Sequence, residues 1–162
     1  VPVNLDEKST QLSSFLDTNC PENISPSIGA EADIVTITVD KKNLIEACNY
    51  LKNDENLQFN YLSLVTVVDY EAISETFELN YHLVSLKFRH KIAVKCNLPI
   101  NDLSIPTISE IWTTANWFER ESHDLFGVIF EGHPNLSPLL LFEEFEGFPG
   151  RKSFPFHDYQ EW

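Results

Sequence analysis

The chain has 162 residues and a formal net charge of −14, because 25 acidic residues outnumber 11 lysines and arginines. Nucleic-acid-binding proteins need clustered Lys and Arg, so this charge argues against that class, and it also disfavours direct adsorption to an anionic membrane. Hydrophobic residues make up 43% of the sequence, which is typical of a folded domain rather than a disordered chain. We expect any membrane contact to run through partner proteins.

Cysteine usage and apolar runs indicate the compartment. Cys20, Cys48 and Cys96 are odd in number and widely scattered, which is typical of a reduced cytosolic protein without a disulfide framework. No apolar run approaches the roughly 20 residues that a membrane-spanning helix needs. The first residues do not combine a basic segment with an apolar one, so we expect no signal peptide.

The first third of the chain predicts a helix, a strand and a second helix. Residues 7–16 can form a short helix, and residues 1–33 are otherwise poorly defined. Residues 33–39 are β-branched and alternate in polarity, which predicts a strand. Asp40 can then cap a helix that ends near Asn53 and whose apolar face carries Leu44, Ile45, Cys48 and Leu51.

Three further strands are predicted in the middle of the chain. Residues 57–70 begin by alternating and then become apolar on both faces, as a central strand would. Residues 76–88 and 90–98 both alternate, and their short connection favours an antiparallel hairpin. The expected fold is α+β, with a mixed sheet of about four strands packed with helices on one face.

A helix with two unlike faces is predicted to follow. Thr107 is placed as its N-cap, and Glu110, three residues later, completes a capping box. At about 100° per residue, Glu119 falls on an otherwise apolar stripe, where a carboxylate must be paired, protonated or facing a partner. The i,i+4 spacing predicts that Arg120 and Asp124 pair on the opposite face, which also carries Trp117 and Glu121.

The chain changes character after this helix. Residues 128–130 can form a short strand, and residues 132–162 are interrupted by proline and glycine and rich in phenylalanine. Such a segment cannot build a regular core, so we expect an extended tail that buries its aromatic side chains against another surface. The predicted organisation is an α+β domain over residues 1–131 and a partner-docking tail over residues 132–162.

Glu119, Glu121 and Asp124 raise the alternative of a divalent-metal site. On a helix, however, Glu119 and Glu121 point about 160° apart, so a network of charged pairs is favoured over a metal site. Arginine suits bidentate pairing with carboxylates. We therefore expect Arg151 and Lys152 of the tail, or a partner's arginine, to neutralise the cluster.

Histidines and cysteines form no pattern that indicates a cofactor. His133 and Pro134 are typical of the end of a turn, with the imidazole hydrogen-bonded to backbone or to a carboxylate. An iron–sulfur cluster needs about four thiolates, and the three cysteines are scattered. Phosphate loops and dinucleotide fingerprints are also absent from the sequence. We expect neither a cofactor nor a catalytic residue in this chain.

Two motifs carry a resemblance to a known family. The run from Trp117 to Pro134 resembles the pattern W-x-E-R-E-x-x-D-[LM]-[FY]-G-[IV]-x-[FY]-x-x-H-P of the C subunit of NADH–quinone oxidoreductase, respiratory complex I. Its matching positions include Trp117, Glu119, Arg120, Glu121, Asp124, Phe126, Gly127, His133 and Pro134. A second family element is matched by Gly147, Pro149, Arg151, Lys152, Phe154 and Pro155. Plastid-type and hydrogenase-type complexes contain related subunits.

The resemblance implies a cofactor-free structural subunit of the peripheral arm, docked on the hydrogenase-like D subunit. NADH, quinone, flavin and iron–sulfur clusters are then expected in partner subunits, and ion translocation in the whole assembly. The expected location is peripheral, on the cytoplasmic side of the membrane. The matched residues become assembly residues rather than catalysts.

The sequence departs from the family pattern at three places. Ser137 and Pro138 stand where two basic residues are usual, Gly150 where leucine is common, and Ser153 where aspartate is common. These changes bear on how the tail docks and on the parent complex.

Three alternatives remain open. One is the equivalent subunit of a membrane-bound hydrogenase-type complex. The others are a free-standing acidic binding module that captures a peptide or helix, and a metal-dependent hydrolase that uses the three helix carboxylates.

Overall fold

A computed structural model describes residues 6–21, 24, 27–31 and 34–155. Four helices and seven strands are assigned in these residues. The helices are α1 (Glu7–Asn19), α2 (Leu44–Asn53, preceded by the 3-10 turn Lys41–Asn43), the short α3 (Glu71–Ser74) and α4 (Ala115–Phe126). The strands are β1 (Ser27–Glu31), β2 (Ile34–Thr38), β3 (Tyr61–Asp69), β4 (Thr76–Ser85), β5 (His90–Pro99), β6 (Ser104–Pro106) and β7 (Ile129–Glu131).

The main sheet is mixed and has the strand order β1-β2-β5-β4-β3. β2 and β5 run parallel, whereas the other neighbours are antiparallel. The α+β class and the mixed sheet are therefore confirmed. The sheet has one strand more than expected because β1 lies in the region that the sequence left undefined.

The β4–β5 hairpin is confirmed, and its alternating side chains build the core. Ser85 pairs with His90 at the turn, and Thr76 pairs with Pro99 at the far end. The inward residues Phe77, Leu79, Tyr81 and Leu83 are fully buried. They share one apolar cluster with side chains of α1, α2 and α4, so these helices cover one face of the sheet.

The predicted capping box is wrong, because α4 begins at Ala115 and residues 107–114 form turns. The groups that a capping box would use have other partners: the Thr107 N–H donates to the Glu131 carbonyl at 2.9 Å, and the Thr107 hydroxyl oxygen accepts the Ser109 N–H at 3.1 Å. The Thr107 hydroxyl and the Ile108 N–H both donate to the Glu119 carboxylate, which belongs to α4 itself. Trp112 also holds the turn in place, since its indole N–H donates to the Phe59 carbonyl at 3.1 Å.

Several predicted boundaries shift. β3 begins at Tyr61, because Gln58 has a φ of 45° and interrupts the extended backbone that was expected from residue 57. Asp40 is the N-cap residue of the 3-10 turn but makes no side-chain cap hydrogen bond. The short strand predicted at residues 128–130 is present as β7, and its parallel partner β6 was not foreseen.

The Tyr81 hydroxyl is a buried polar group that destabilises this core. It is fully buried, and no described group hydrogen-bonds to it. Burial, followed by the proximity of Glu119, raises the pKa of Tyr81 well above its usual value, so the phenol stays neutral. A buried hydroxyl without a partner costs on the order of 1–3 kcal/mol of folding free energy.

Tyr81→Phe is therefore expected to raise the free energy of unfolding by about 1 kcal/mol, measured by urea denaturation. Tyr50→Phe is the matched control, because the Tyr50 hydroxyl donates to the Asn19 carbonyl at 3.2 Å. Its loss is expected to be neutral or slightly destabilising. A lower unfolding midpoint for Tyr81→Phe than for the parent chain would contradict the prediction.

Candidate functional site

α4 carries most of the residues of the first motif and ends in a well-defined cap. Gly127 follows the helix with a φ of 77°, and its N–H donates to the His123 carbonyl at 2.8 Å. This left-handed C-cap suits glycine, which lacks a Cβ. α4 packs against β3, and its buried residues are Ala115, Glu119, Ser122 and Asp124.

Glu119 is fully buried and binds the turn that precedes α4. One carboxylate oxygen accepts the Ile108 N–H at 2.8 Å, and the other accepts the Thr107 hydroxyl. Burial raises the pKa of Glu119 to about 7, although these two hydrogen bonds oppose the shift. The predicted need for a partner is thus met by hydrogen bonds from within the same chain.

His133 ends a turn and is hydrogen-bonded to backbone, as predicted. Its Nδ1 accepts the Asn135 N–H at 3.1 Å, which assigns the ring proton to Nε2. Nε2 then donates to the Asn116 carbonyl at 3.2 Å. Nε2 also lies 3.8 Å from a Glu119 oxygen, so the imidazole closes the pocket around that carboxylate.

Asp124 fixes the start of the tail. Its Oδ2 accepts three successive backbone N–H groups, from Leu139 and Leu140 at 2.7 Å and from Leu141 at 3.2 Å. Burial raises the pKa of Asp124, but the three N–H donors outweigh burial and hold the pKa below its usual value. Successive N–H groups that surround an anion form a backbone nest.

The predicted Arg120–Asp124 pair is wrong, because both side chains bind the tail backbone instead of each other. Arg120 donates to the Ser137 carbonyl at 3.0 Å and to the Pro138 carbonyl at 2.9 Å. Its guanidinium also lies 5.1 Å from the ring centre of Trp117, which is 60% exposed. Arg120 and Asp124 therefore grip adjacent parts of one segment, residues 137–141.

Arg151 does not neutralise the helix carboxylates, which corrects this part of the second pairing hypothesis, while pairing with a partner's arginine stays a prediction. Its Nε and NH2 groups both donate to the Phe126 carbonyl, at 2.9 and 2.7 Å. The guanidinium lies over the rings of Phe77 and Phe148, at 5.2 and 4.5 Å from their centres. A cation at the carboxyl end of a helix satisfies an orphan carbonyl and complements the helix dipole.

Two glycines allow the tail to approach the end of α4. The Gly150 N–H donates to the Leu125 carbonyl at 2.8 Å, and a Cβ on Gly150 would lie 2.8 Å from that oxygen. A Cβ on Gly127 would lie 2.6 Å from the Phe148 ring. Gly150, which departs from the family pattern, is therefore adapted to this contact.

The other predicted residues lie around this junction. Lys152 contributes its backbone N–H, which donates to Asp69 at 2.7 Å, while its side chain is exposed.

The Phe154 ring stacks on Phe145, with the ring centres 5.9 Å apart. Gly147 has a φ of 92° and lies against the Phe154 ring. Pro149 is half-buried, Pro134 and Pro155 are exposed, and Glu121 lies in a groove beside β3.

The sequence interpretation missed Asp69 and Phe148. Asp69 is a buried carboxylate at the end of an otherwise uncharged strand, and that position was a signal for a structural partner. Phe148 contacts both Arg151 and Gly127, but nothing in its sequence position indicated this role.

The helix carboxylates do not converge on a metal site. Glu119 binds the turn at residues 107–108, Asp124 binds the tail, and Glu121 lies beside β3. Across the part of the chain that the structure describes, no group of three His, Cys, Asp or Glu residues could hold a metal ion. Among the described helices, none has the length and apolar character needed to cross a membrane.

The raised pKa of Glu119 predicts a specific pH dependence. Its folded-state pKa of about 7 lies above the usual value of 4.5, so its stabilising contribution is complete below 4.5 and is lost as the pH rises through 7. Glu119→Gln should remove this loss, which amounts to at most about 3 kcal/mol of unfolding free energy.

The measurement is the free energy of unfolding of both proteins between pH 4.5 and 8, with Glu121→Gln as the matched control on the same helix. The parent chain is expected to lose stability relative to Glu119→Gln as the pH rises. If the unfolding free energies of the parent chain and of Glu119→Gln depended on pH in the same way, Glu119 would ionise normally in the folded state.

The comparisons with known proteins agree on one family. The family model described as "Respiratory-chain NADH dehydrogenase, 30 Kd subunit" matches residues 37–160. The NADH-quinone oxidoreductase C 2 subunit of Rhizobium meliloti (strain 1021) is 40% identical over 135 residues, which cover 83% of this chain and 74% of the relative. The NADH-quinone oxidoreductase C subunit of Citrifermentans bemidjiense is 40% identical over 121 residues, with coverages of 75% and 74%.

Two solved structures share the fold. The trypsin-resistant fragment (1–134) of Nqo5 matches with a TM-score of 0.67 and 28% identity, over 78% of this chain and 99% of that chain. A chain of the membrane-bound sulfane sulfur reductase, an archaeal respiratory membrane complex, matches with a TM-score of 0.75 and 22% identity, over 93% and 86%. The chain therefore belongs to the family of the 30 kDa subunit of respiratory-chain NADH dehydrogenase, whose bacterial members are named as the C subunit of NADH–quinone oxidoreductase.

Proposed function

We propose that this chain is a cofactor-free docking subunit in the peripheral arm of a complex I-type NADH–quinone oxidoreductase, and that it binds the hydrogenase-like D subunit. Family membership supports the parent complex. The chain's own contribution is to hold a preformed surface against its partner. NADH oxidation, flavin and iron–sulfur electron transfer, quinone reduction and ion translocation belong to the other subunits of the assembly.

The observation that carries this proposal is a set of exposed apolar side chains on a backbone that is already fixed. Leu140 is 60% exposed and Phe142 is 68% exposed, although Asp124 holds the Leu140 N–H. Trp117 is exposed beside Arg120, which binds the tail backbone, and Phe148 is exposed beside Arg151, which binds the tail to the end of α4. We call Trp117, Leu140, Phe142 and Phe148 the tail face.

Fixing the tail face in advance favours docking. A disordered segment loses conformational entropy when it binds, whereas an ordered one has already lost most of it during folding. Aromatic side chains are the residues that most often dominate the binding energy of an interface. The exposed Glu143, Glu144 and Glu146 form a polar, acidic rim beside Phe142.

The cysteines support the cofactor-free part of the proposal. Burial raises the pKa of the Cys48 thiol far above its usual value and that of Cys96 to about 12. Both thiols are buried in the apolar core, and a cluster needs about four thiolates, whereas the sequence has three cysteines. We assign the electron carriers to partner subunits for this reason.

A peripheral position on the cytoplasmic side of the membrane follows from the same proposal. With a net charge of −14, the chain is repelled by anionic lipid headgroups, so attachment through partner subunits is favoured over direct adsorption.

The hydrogenase-type alternative is supported by the fold alone. The chain of the archaeal reductase matches more of this chain than the Nqo5 fragment does, but at only 22% identity. The sequence relatives at 40% identity are named subunits of NADH–quinone oxidoreductase, and they favour that complex.

The test is purification of the tagged chain from its native membranes in mild detergent. The parent chain is expected to recover a hydrogenase-like protein, iron–sulfur proteins and membrane subunits. The double variant Leu140→Ser/Phe142→Ser should weaken docking by about 2–4 kcal/mol and recover far less of them, because two exposed apolar side chains of the tail face are lost.

Leu86→Ser is the matched control. Leu86 is 62% exposed, which is close to the exposure of Leu140 and Phe142. It lies on the β4–β5 turn, at the opposite end of β4 from the contact between Phe77 and Arg151. Its recovery of partners should equal that of the parent chain. Recovery of the parent chain alone would contradict the proposed function, and full recovery with the double variant would contradict the tail face as the docking surface.

A further inference from the structure

The β4–β5 turn concentrates positive charge on an acidic chain. Lys87, Arg89 and Lys91 lie within five residues, whereas the whole chain has 11 lysines and arginines and a net charge of −14. All three side chains are exposed, and no described residue forms an ion pair with any of them. Clustered cations that are not neutralised within their own chain attract an anionic group.

Arg89 has a backbone conformation that is unusual for a residue with a side chain. Its φ is 59°, and its N–H donates to the Ser85 carbonyl at 2.8 Å, which closes the turn. This left-handed region favours glycine or asparagine, so an arginine adopts it at a cost in folding free energy. Such strained residues cluster at binding sites, and here the strain keeps a cation on the turn.

A cleft opens beside this turn, between α1 and the β4–β5 hairpin. It has a volume of about 310 Å³, and the buried side chains of Leu12 and Leu57 form its apolar floor. An apolar cavity of about 150 Å³ is large enough to hold benzene. The cleft therefore admits a large apolar side chain, although it is too small for a further helix.

One wall of the cleft is aromatic. The His90 ring stacks on Phe88 with the ring centres 5.6 Å apart, and it lies 4.9 Å from the centre of the Phe59 ring. The His90 Nε2–H donates to the Leu57 carbonyl at 3.2 Å, which fixes the ring. Burial lowers the pKa of His90, so the imidazole is neutral at neutral pH. The wall therefore offers aromatic surface to an occupant rather than a second charge.

Lysines supply the charge at the edge of the cleft. Lys8 is an exposed lining residue, and the Asp6 carboxylate near it already accepts the Ser9 N–H at 2.7 Å. The Lys87 Nζ lies 4.9 Å from the centre of the Phe88 ring, which forms part of the wall. Among the described residues that line the cleft, none is acidic. The cleft therefore fits an occupant that is apolar and carries an anionic group beside its apolar part.

We propose that this cleft and the cations of the β4–β5 turn dock an acidic segment of a partner subunit. A leucine or an aromatic side chain of the segment enters the cleft, and its aspartate or glutamate carboxylates pair with Lys8, Lys87 and Arg89. A protein segment is favoured over an anionic lipid surface, because a chain with a net charge of −14 is repelled by such a surface.

This inference rests on the proposed function, because the segment belongs to another subunit of the same assembly. The cleft lies at the opposite end of β4 from the contact between Phe77 and Arg151, so it is separate from the tail face. Leu86 belongs to the same turn but does not line the cleft. The chain would then hold its partners at both ends of the sheet.

The first test places a photo-reactive amino acid at Gln11, an exposed residue that lines the cleft, in the complex purified from native membranes. Mass spectrometry of the cross-linked peptide is expected to identify an acidic segment of another subunit with a leucine or an aromatic residue next to its carboxylates. Thr10 is the matched control, because it is exposed on the same helix outside the cleft and should not give this product.

Charge variants test the pairing. Lys8→Glu/Arg89→Glu should lower the yield of the Gln11 cross-link at least about fivefold, because two cations that attract the segment are reversed. Lys42→Glu changes an exposed lysine outside the cleft and should leave the yield unchanged. Arg89→Gly removes a cation and the backbone strain together, so it should lower the yield in a chain that is at least as stable as the parent.

The possible failures are distinguishable. In an assembled complex, a Gln11 cross-link to lipid or to a segment without acidic residues, or no cross-link, overturns the inference and leaves the proposed function intact. Equal yields from the parent chain and from Lys8→Glu/Arg89→Glu also overturn it, because the cations would then play no part. A chain that joins no complex overturns the proposed function and the docked segment together.

Discussion

The structure depends on one buried carboxylate that organises a segment without regular secondary structure. Residues 132–155 contain no helix or strand, so their backbone groups need partners from elsewhere. Asp124 supplies one for three successive N–H groups, those of Leu139, Leu140 and Leu141. Because hydrogen bonds to a charged group are stronger than neutral ones, a single side chain can order this turn.

The carboxyl end of α4 also fixes the position of the tail. The Phe126 carbonyl accepts two N–H groups of Arg151, and the Leu125 carbonyl accepts the Gly150 N–H. These are the groups that every helix leaves unpaired at its end. The tail completes the helix and the helix orders the tail, so the apolar tail face is held in place before any partner arrives.

Three carboxylates on one helix thus have three environments. Glu119 is buried in the turn before α4, and burial raises its pKa to about 7. Asp124 is bound by backbone donors that lower its pKa. Glu121 lies in an open groove without a described partner. Local surroundings, rather than residue type, assign the first two to structural roles and leave the third without a described partner.

Sequence patterns predicted the elements that depend on periodicity. They failed to predict hydrogen bonds for side chains that have several competing partners. Alternation predicted β4 and β5, and the motif from Trp117 to Pro134 predicted the family. Helical spacing allowed Arg120 to pair with Asp124, but tail carbonyls compete for Arg120 and tail N–H groups compete for Asp124. These competitors lie well over ten residues further along the chain, and no local rule places them.

The same limit explains the false capping box. Thr107 and Glu110 have the correct spacing, but the Thr107 hydroxyl binds Glu119, which lies twelve residues later. A short pattern cannot show that a distant carboxylate and the Glu131 carbonyl bind the hydroxyl and the N–H of the same threonine.

The most direct test of this account is amide exchange at Leu139, Leu140 and Leu141 in the parent chain and in Asp124→Asn. Slow exchange is expected in the parent chain and exchange at least about tenfold faster in the variant, since charge-assisted hydrogen bonds of about 1.5–3 kcal/mol are lost. Core amides such as that of Val94 should remain protected in both proteins. Unchanged exchange at the three leucines would show that the tail is ordered by something other than Asp124.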